Sequence, residues 1–103
     1  MVNISMICIR IAHNAPDRAV DRAGLLAAHK TFLRSGCLTV LQSGPIFDQE
    51  GNQVGAIVVA DTPDIGTMEA ICAEDPFVIH GIYHRISFLE WRITVERYPQ
   101  CTS

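Results

Sequence analysis

The sequence is short of charge and carries no motif with a fixed chemistry. Only 18% of its 103 residues are Asp, Glu, Lys or Arg, against about 25% in an ordinary globular domain. The net charge is −3 and there is no basic run, which argues against nucleic acid as the main partner. No apolar run reaches the roughly 18 residues that a membrane span requires. The segment Met1–Ile7 lacks the basic region and small-residue cleavage site of a signal peptide. The four cysteines, Cys8, Cys37, Cys72 and Cys101, are scattered, form no CxxC pair and have no histidine at zinc-site spacing. Cys8, Cys37 and Cys72 lie in apolar segments and read as small core residues. No GxSxG elbow surrounds Ser43. These absences predict a cytoplasmic, reduced protein that uses neither a metal nor a cofactor.

What is present is apolar. Hydrophobic residues make up 49% of the chain and the mean hydropathy is +0.21. A chain this short should have proportionally more polar surface, not less. A second buried surface is therefore expected, most simply a homodimer interface.

The pattern divides into six elements of a single domain over 1–103. Ser5–His13 is rich in apolar and β-branched residues and predicts a first strand. Asn14-Ala15-Pro16-Asp17 is a turn with Asp17 as N-cap, followed by a helix over Arg18–Ser35. Val20, Leu25, Leu26, His29, Phe32 and Leu33 recur at helical spacing and predict one apolar stripe. Gly36 stands where a helix C′ glycine is expected. Cys37–Gln42 predicts a second strand that Ser43-Gly44-Pro45 interrupts as a bulge or close approach, with Ile46 and Phe47 resuming it. A polar loop over 48–53 joins it to a third, central strand, Val54–Ala60. Asp64 caps a second helix, Ile65–Ala73, which Pro76 ends near Asp75. Val78–Gly81 then reads as a linker and Ile82–Ile93 as a long last strand. Its alternation puts Ile82, His84, Ile86 and Phe88 on one face, and Tyr83, Ser87, Leu89, Trp91 and Ile93 on the other. Residues 94–103 read as irregular.

The order strand, helix, strand, strand, helix, strand is that of the α+β ferredoxin-like split βαβ arrangement, βαββαβ. Two helices cover one sheet face. The other face is apolar and is expected to pair with that of a second copy, forming a dimeric α+β barrel.

Two residues stand out for chemistry. His29 lies among apolar neighbours on the first helix, where a buried imidazole needs a hydrogen-bond partner. Asp75 sits beside Pro76 at the end of the second helix, and the fold lays those helices side by side. The pair is expected to act as a proton carrier and its orienting carboxylate. A histidine bonded to a backbone carbonyl and a turn aspartate are the plainer readings. The hydroxyl of Ser43 and the amide of Gly44 could hold a substrate oxygen; an unliganded bulge is the alternative. Pro45 and Phe77 are expected to complete the substrate wall. His80, Tyr83 and His84 follow Asp75 closely, with polar tips that could reach the same pocket. Tyr83 and His84 point to opposite faces, so at most one of them should meet it. Arg10 could pair with a carboxylate or bind an anionic substrate.

His29, Gly36, Ser43-Gly44-Pro45, and Asp75-Pro76-Phe77 followed by Gly81 and a strand together resemble the YciI-like (YCII-related) family. The resemblance covers about Ile7 to Trp91 and implies a dimeric α+β barrel with a histidine–aspartate dyad, matched by position to His29 and Asp75. Relatives often carry arginine three residues before the histidine. Leu26 stands there in this chain, with Arg22 seven before, which suggests a more apolar pocket. One activity in the family is dehydrochlorination of a chlorinated hydroxyhydroquinone. The resemblance thus implies a cofactor-independent lyase acting on a small hydroxylated aromatic. An isomerase, a cofactor-independent oxygenase and a non-enzymatic ligand-binding domain are the alternatives.

Overall fold

The first and third strands lie together at the centre of the sheet because both are apolar over most of their length. In the computed structural model, which describes residues 5–97, the elements are β1 (Met6–Asn14), α1 (Ala19–Arg34), β2 (Thr39–Phe47), β3 (Gln53–Thr62), α2 (Ile65–Cys72), α3 (Pro76–Ile79) and β4 (Tyr83–Trp91). The four strands form one antiparallel sheet in the order β2-β3-β1-β4. This is the expected α+β, ferredoxin-like fold with one added helical turn, α3. Residues 1–4, Cys101 and the end of the tail lie outside the described residues. Residues 94–97 are irregular, as expected.

Alternation along β1 decides what faces the helices. Cys8, Arg10 and Ala12 are fully buried on that side. Around them form two apolar clusters. One joins Cys8, Leu38, Val58, Ala60, Met68 and Cys72 beneath α2. The other joins Ala12, Phe77, Ile82 and Tyr83 around α3. Each fully buried Met or Val side chain stabilises the fold by about 1.5–3 kcal/mol. Asp64 caps α2 as expected, accepting the Thr67 amide at 2.6 Å. On the opposite face Ile7, Ile9 and Ile11 of β1 stand beside Trp91 and Leu89 of β4. Leu89 and Trp91 remain 48% and 42% exposed there, uncovered within the chain.

Several local expectations are corrected. Asp17 caps nothing; it adopts a left-handed φ of 61°, and Arg18 occupies the N-cap position with no side-chain cap bond. Arg18 instead donates to Asp21 at 2.9 Å and to the His80 carbonyl at 2.8 Å, tying the start of α1 to the end of α3. The predicted stripe on α1 is not a buried one. His29 is its only buried residue, while Val20 and Leu26 are 86% and 42% exposed. The helix leans on α3 and stands off β2 and β3, leaving a cleft beneath it. Gly36 does take the left-handed C′ conformation, at φ 87°.

Strand β2 runs through Ser43-Gly44-Pro45 without interruption; its register shifts lie on either side, between Val40 and Gln42 and between Ile46 and Phe47. Pro45 is tolerated because β2 is an edge strand, where the missing N–H breaks no ladder bond. Gly55 of β3 is the close approach instead, since a Cβ there would collide with the Ala12 carbonyl. Cys37 is exposed, beyond the end of α1, and is no core residue. The segment after α2 is not a linker. Pro76, which cannot continue a helix, is well suited to begin one, and α3 starts at it. Finally, β4 begins at Tyr83 and ends at Trp91. A register shift at His13/Asn14 pairs Arg85 with His13 but Tyr83 with Asn14. The extra residue, His84, reverses the alternation, so Tyr83 packs with Ile82 and Ile86 on the helix side.

Candidate active site

Three elements deliver three polar side chains to one point under the helices. Asp75 is placed by its own capping role: its Oδ1 accepts the Phe77 amide at 2.9 Å at the start of α3. His29 projects from the middle of α1 and its Nδ1 meets the same Oδ1 at 2.8 Å. Arg10 rises from β1 and donates Nη1 to Asp75 Oδ2 at 2.8 Å. Asp75 and Arg10 are both fully buried, and His29 is only 6% exposed. The carboxylate therefore uses both oxygens, with an arginine on one and a histidine on the other.

Electrostatics fixes the proton positions. Burial pushes the Asp75 carboxyl upward, but the bonds from His29, Arg10 and the Phe77 amide outweigh it. The net direction is below the ordinary carboxylate range. An ionised Asp75 only accepts, so Nδ1 of His29 carries the hydrogen in that contact. The neutral ring then presents a lone pair at Nε2. The ring is held flat against Phe77, with centroids 4.0 Å apart and planes 6° from parallel. Tyr83 meets Phe77 edge-on at 5.6 Å, and the Arg10 guanidinium lies 5.2 Å from the Tyr83 ring centre. Burial pushes the Tyr83 phenol up to about 12, with Arg10 and Arg22 opposing and Asp75 adding to the rise. It also pushes the Cys72 thiol up, against the opposing effect of Arg10. Both groups thus stay protonated at neutral pH, and Cys72 is no thiolate nucleophile.

Beside this cluster the cleft under α1 has a volume of about 960 Å³. His29, Ser43, Gly44, Pro45, Phe77 and Tyr83 all line it. Ser43 and Pro45 reach it because they pair with Val58 and Ala56, on the helix-facing side of β3. Asp75 does not line it; it supports His29 from behind. His80 is not part of this site. It is exposed at the end of α3, where its carbonyl takes the Arg18 bond. His84 is spent at the strand irregularity, with Nδ1 2.9 Å from the Asn14 carbonyl oxygen. Among the described residues, no group of three or more His, Cys, Asp or Glu is arranged to hold a metal ion.

The sequence reading left Arg10 as a possible ordinary salt bridge and did not join it to Asp75. The signal was available: an arginine midway between Cys8 and Ala12, on the buried alternation of a central strand, requires a buried carboxylate. Three more basic residues of α1, Arg22, Lys30 and Arg34, also line the cleft. Nothing in the sequence marked the cleft itself, since it arises from the stand-off of a helix.

The family model for the YCII-related domain matches residues 6–92. No curated protein matches the chain by sequence. Among solved structures, the chain is similar to 5-chloro-2-hydroxyhydroquinone dehydrochlorinase from Burkholderia phenoliruptrix in complex with 2,5-dihydroxybenzoquinone. The TM-score is 0.74 at 16% identity, covering 84% of this chain and 94% of that one. An uncharacterised NIPSNAP-like domain protein from Burkholderia xenovorans gives 0.56 at 14% identity, covering 95% and 92%. The hydroxynitrile lyase from Passiflora edulis gives 0.53 at 9% identity, covering 95% and 100%. At these identities the structural likenesses establish the fold.

Proposed function

The chain belongs to the YCII-related domain family, and from that premise we propose that it is a cofactor-independent lyase acting on a small hydroxylated aromatic. The observation that carries the reading is the contact between Nδ1 of His29 and Asp75 at 2.8 Å. It leaves Nε2 as the ring nitrogen available to a molecule in the cleft that His29 lines. In this reading Nε2 is the general base. Asp75 fixes the tautomer and stabilises the imidazolium once the proton arrives. Arg10 keeps Asp75 ionised and directed at His29. Phe77, Pro45 and Tyr83 present a flat, mostly apolar seat for a ring. Ser43 and the Gly44 amide, at the β2 edge of the cleft, are assigned to a ring oxygen.

The reaction proposed is loss of HCl from a chlorinated hydroxyhydroquinone. One phenolic proton moves to the chlorine-bearing carbon as the ring ketonises, a second passes from a phenolic oxygen to Nε2, and chloride leaves that carbon with the bonding pair, so that a C–H bond stands where the C–Cl bond was. The ring reaches the hydroxybenzoquinone level without an external oxidant, because the departing chloride takes up the two electrons. The bound species of the dehydrochlorinase to which this fold is similar is itself a dihydroxybenzoquinone, which supports the choice of substrate class. The test is chloride release from 5-chloro-2-hydroxyhydroquinone, with oxygen uptake followed in parallel. Expected are equimolar chloride and quinone, no oxygen consumption, and a 10²–10⁴-fold fall in turnover for folded His29→Gln. Unchanged turnover in that variant would remove His29 from the proton transfer, and oxygen consumption would replace the lyase with an oxygenase.

The proposal includes a homodimer formed by the uncovered sheet face. Ile7, Ile9 and Ile11 flanked by Leu89 and Trp91 make an apolar surface of the kind that marks an interface. Light scattering at micromolar concentration should give twice the chain mass, and Ile9→Glu should halve it. A monomeric parent protein would refute this pairing.

A further inference from the structure

The cleft has a cationic wall and holds hydrogen-bond donors that find no partner among the described residues. Arg22, Leu26, Lys30 and Arg34 follow one another at four-residue steps on α1, and all four line it. Among the described residues no aspartate or glutamate lines the cleft, although the chain as a whole carries net charge −3. Two polar atoms there are buried without any partner: Nη1 of Arg22 and the hydroxyl of Tyr83. Tyr83 is only 7% exposed. It sits edge-on to Phe77, whose ring stacks on His29, so its hydroxyl belongs to the same end of the cleft as the imidazole. Arg22 and Tyr83 line the same cleft, and the Arg22 charge opposes the rise that burial gives the Tyr83 phenol.

Buried donors left unpaired cost free energy, and native proteins rarely keep them without a reason. A guanidinium and a protonated phenol both donate, and neither Arg22 nor an un-ionised Tyr83 supplies negative charge of its own. Their shared complement is an anionic oxygen. We infer that Arg22 and Tyr83 form an oxyanion subsite beside His29, and that the ligand of this cleft is a planar ring bound as its oxyanion. This deepens the reading above and rests on its placement of the ligand in the His29 cleft, but it does not depend on HCl elimination. In that reaction the subsite would hold the ring oxygen that is already ionised while His29 takes the second proton. Ser43 and Gly44 are then left to the far side of the ring.

The test is calorimetric binding at pH 7 of two matched quinones. The hydroxyls of 2,5-dihydroxybenzoquinone are vinylogous acids and are ionised at that pH. 2,5-Dimethoxybenzoquinone keeps the same ring and cannot ionise. The parent protein is expected to bind the dihydroxy compound at least tenfold more tightly than the dimethoxy compound. Arg22→Gln should weaken the dihydroxy compound about 10- to 100-fold and Tyr83→Phe about 3- to 10-fold, as for hydrogen bonds to a charged group. Affinity for the dimethoxy compound should stay within twofold in both variants. Arg22→Lys, which keeps the charge but not the fork, should fall between the parent and Arg22→Gln. Should Tyr83→Phe unfold, the Arg22 pair alone decides, because Arg22 is only half-buried on α1. Equal affinity for the two quinones, no binding of the dihydroxy compound, or no effect of the Arg22 variants overturns the assignment. Anion-selective binding without chloride release would leave the subsite standing and remove the elimination reading. Chloride release with binding indifferent to Arg22 and Tyr83 would do the reverse.

Discussion

Replacing Arg10 by methionine isolates the electrostatic core of the site. The guanidinium is fully buried, and its Nη1 bond to Asp75 at 2.8 Å is its only hydrogen bond among the described residues. Methionine keeps most of the stem volume and removes the charge. Removing one partner of a buried ion pair costs about 3–5 kcal/mol, because the other charge is stranded. Asp75 still accepts from His29 and from the Phe77 amide, so the lower end, about 3 kcal/mol, is expected at pH 8. That is a large share of the roughly 5–15 kcal/mol by which a domain is stable. The penalty should itself depend on pH. Arg10 is one of the partners that hold the Asp75 carboxyl below its ordinary range. Stability from a carboxyl depressed on folding is present above its unfolded pKa, about 3.9, and is lost as pH falls through the folded value. Without Arg10 the carboxyl takes up its proton more readily and no longer needs a counter-charge, so the gap between parent and variant should be widest at pH 8 and narrower at pH 4. Urea unfolding of both proteins at the two pH values and one protein concentration measures it. A gap that is the same at both pH values, or a variant as stable as the parent, would show that Arg10 does not neutralise Asp75.

Asp75 has a depressed carboxyl, so the stability it contributes is present above the unfolded value of about 3.9 and lost as pH falls through the lower folded value; acid unfolding of Asp75→Asn should be shallower than that of the parent over this range. Gly24 lies in α1 with open space where a Cβ would point, so Gly24→Ala should stabilise the fold by about 0.5–1 kcal/mol, read as a higher urea midpoint. Gly55→Ala should do the opposite, losing about 1–3 kcal/mol or more as β3 is pushed from the Ala12 carbonyl, and a neutral result would mean that the two strands separate freely at that point.

The order of elements was legible because each rests on local signals: Asp64 before α2, Gly36 after α1, and the apolar runs of β1 and β3. His29 and Asp75 were legible as a pair because each is odd in its own setting, an imidazole among leucines and a carboxylate beside a proline. What was not legible depends on geometry beyond the window of any pattern. Tyr83 was put on the wrong face because a single extra residue, His84, reverses a period of two. The shallow burial of the α1 stripe was not legible because periodicity gives the side of a helix, not its height above the sheet. Ser43-Gly44-Pro45 carries residues typical of an interruption, yet an edge strand absorbs them. The role of Arg10 required knowing that β1 is central and that its even positions face the helices.

The single buried residue of helix α1 is His29, with Leu25 and Leu33 packed half-buried against the two apolar clusters. The side chain assigned to the chemistry thus also helps to fasten the wall of the cleft. Leu26, Lys30 and Arg34, which also face the cleft, are exposed and contribute little to folding. Substitutions at such positions ordinarily move stability by no more than about 0.5 kcal/mol. A lineage can therefore vary the shape and charge of this wall, and with them the ligand, almost independently of the scaffold. His29, the proposed proton carrier, stays fixed by its second duty as an anchor.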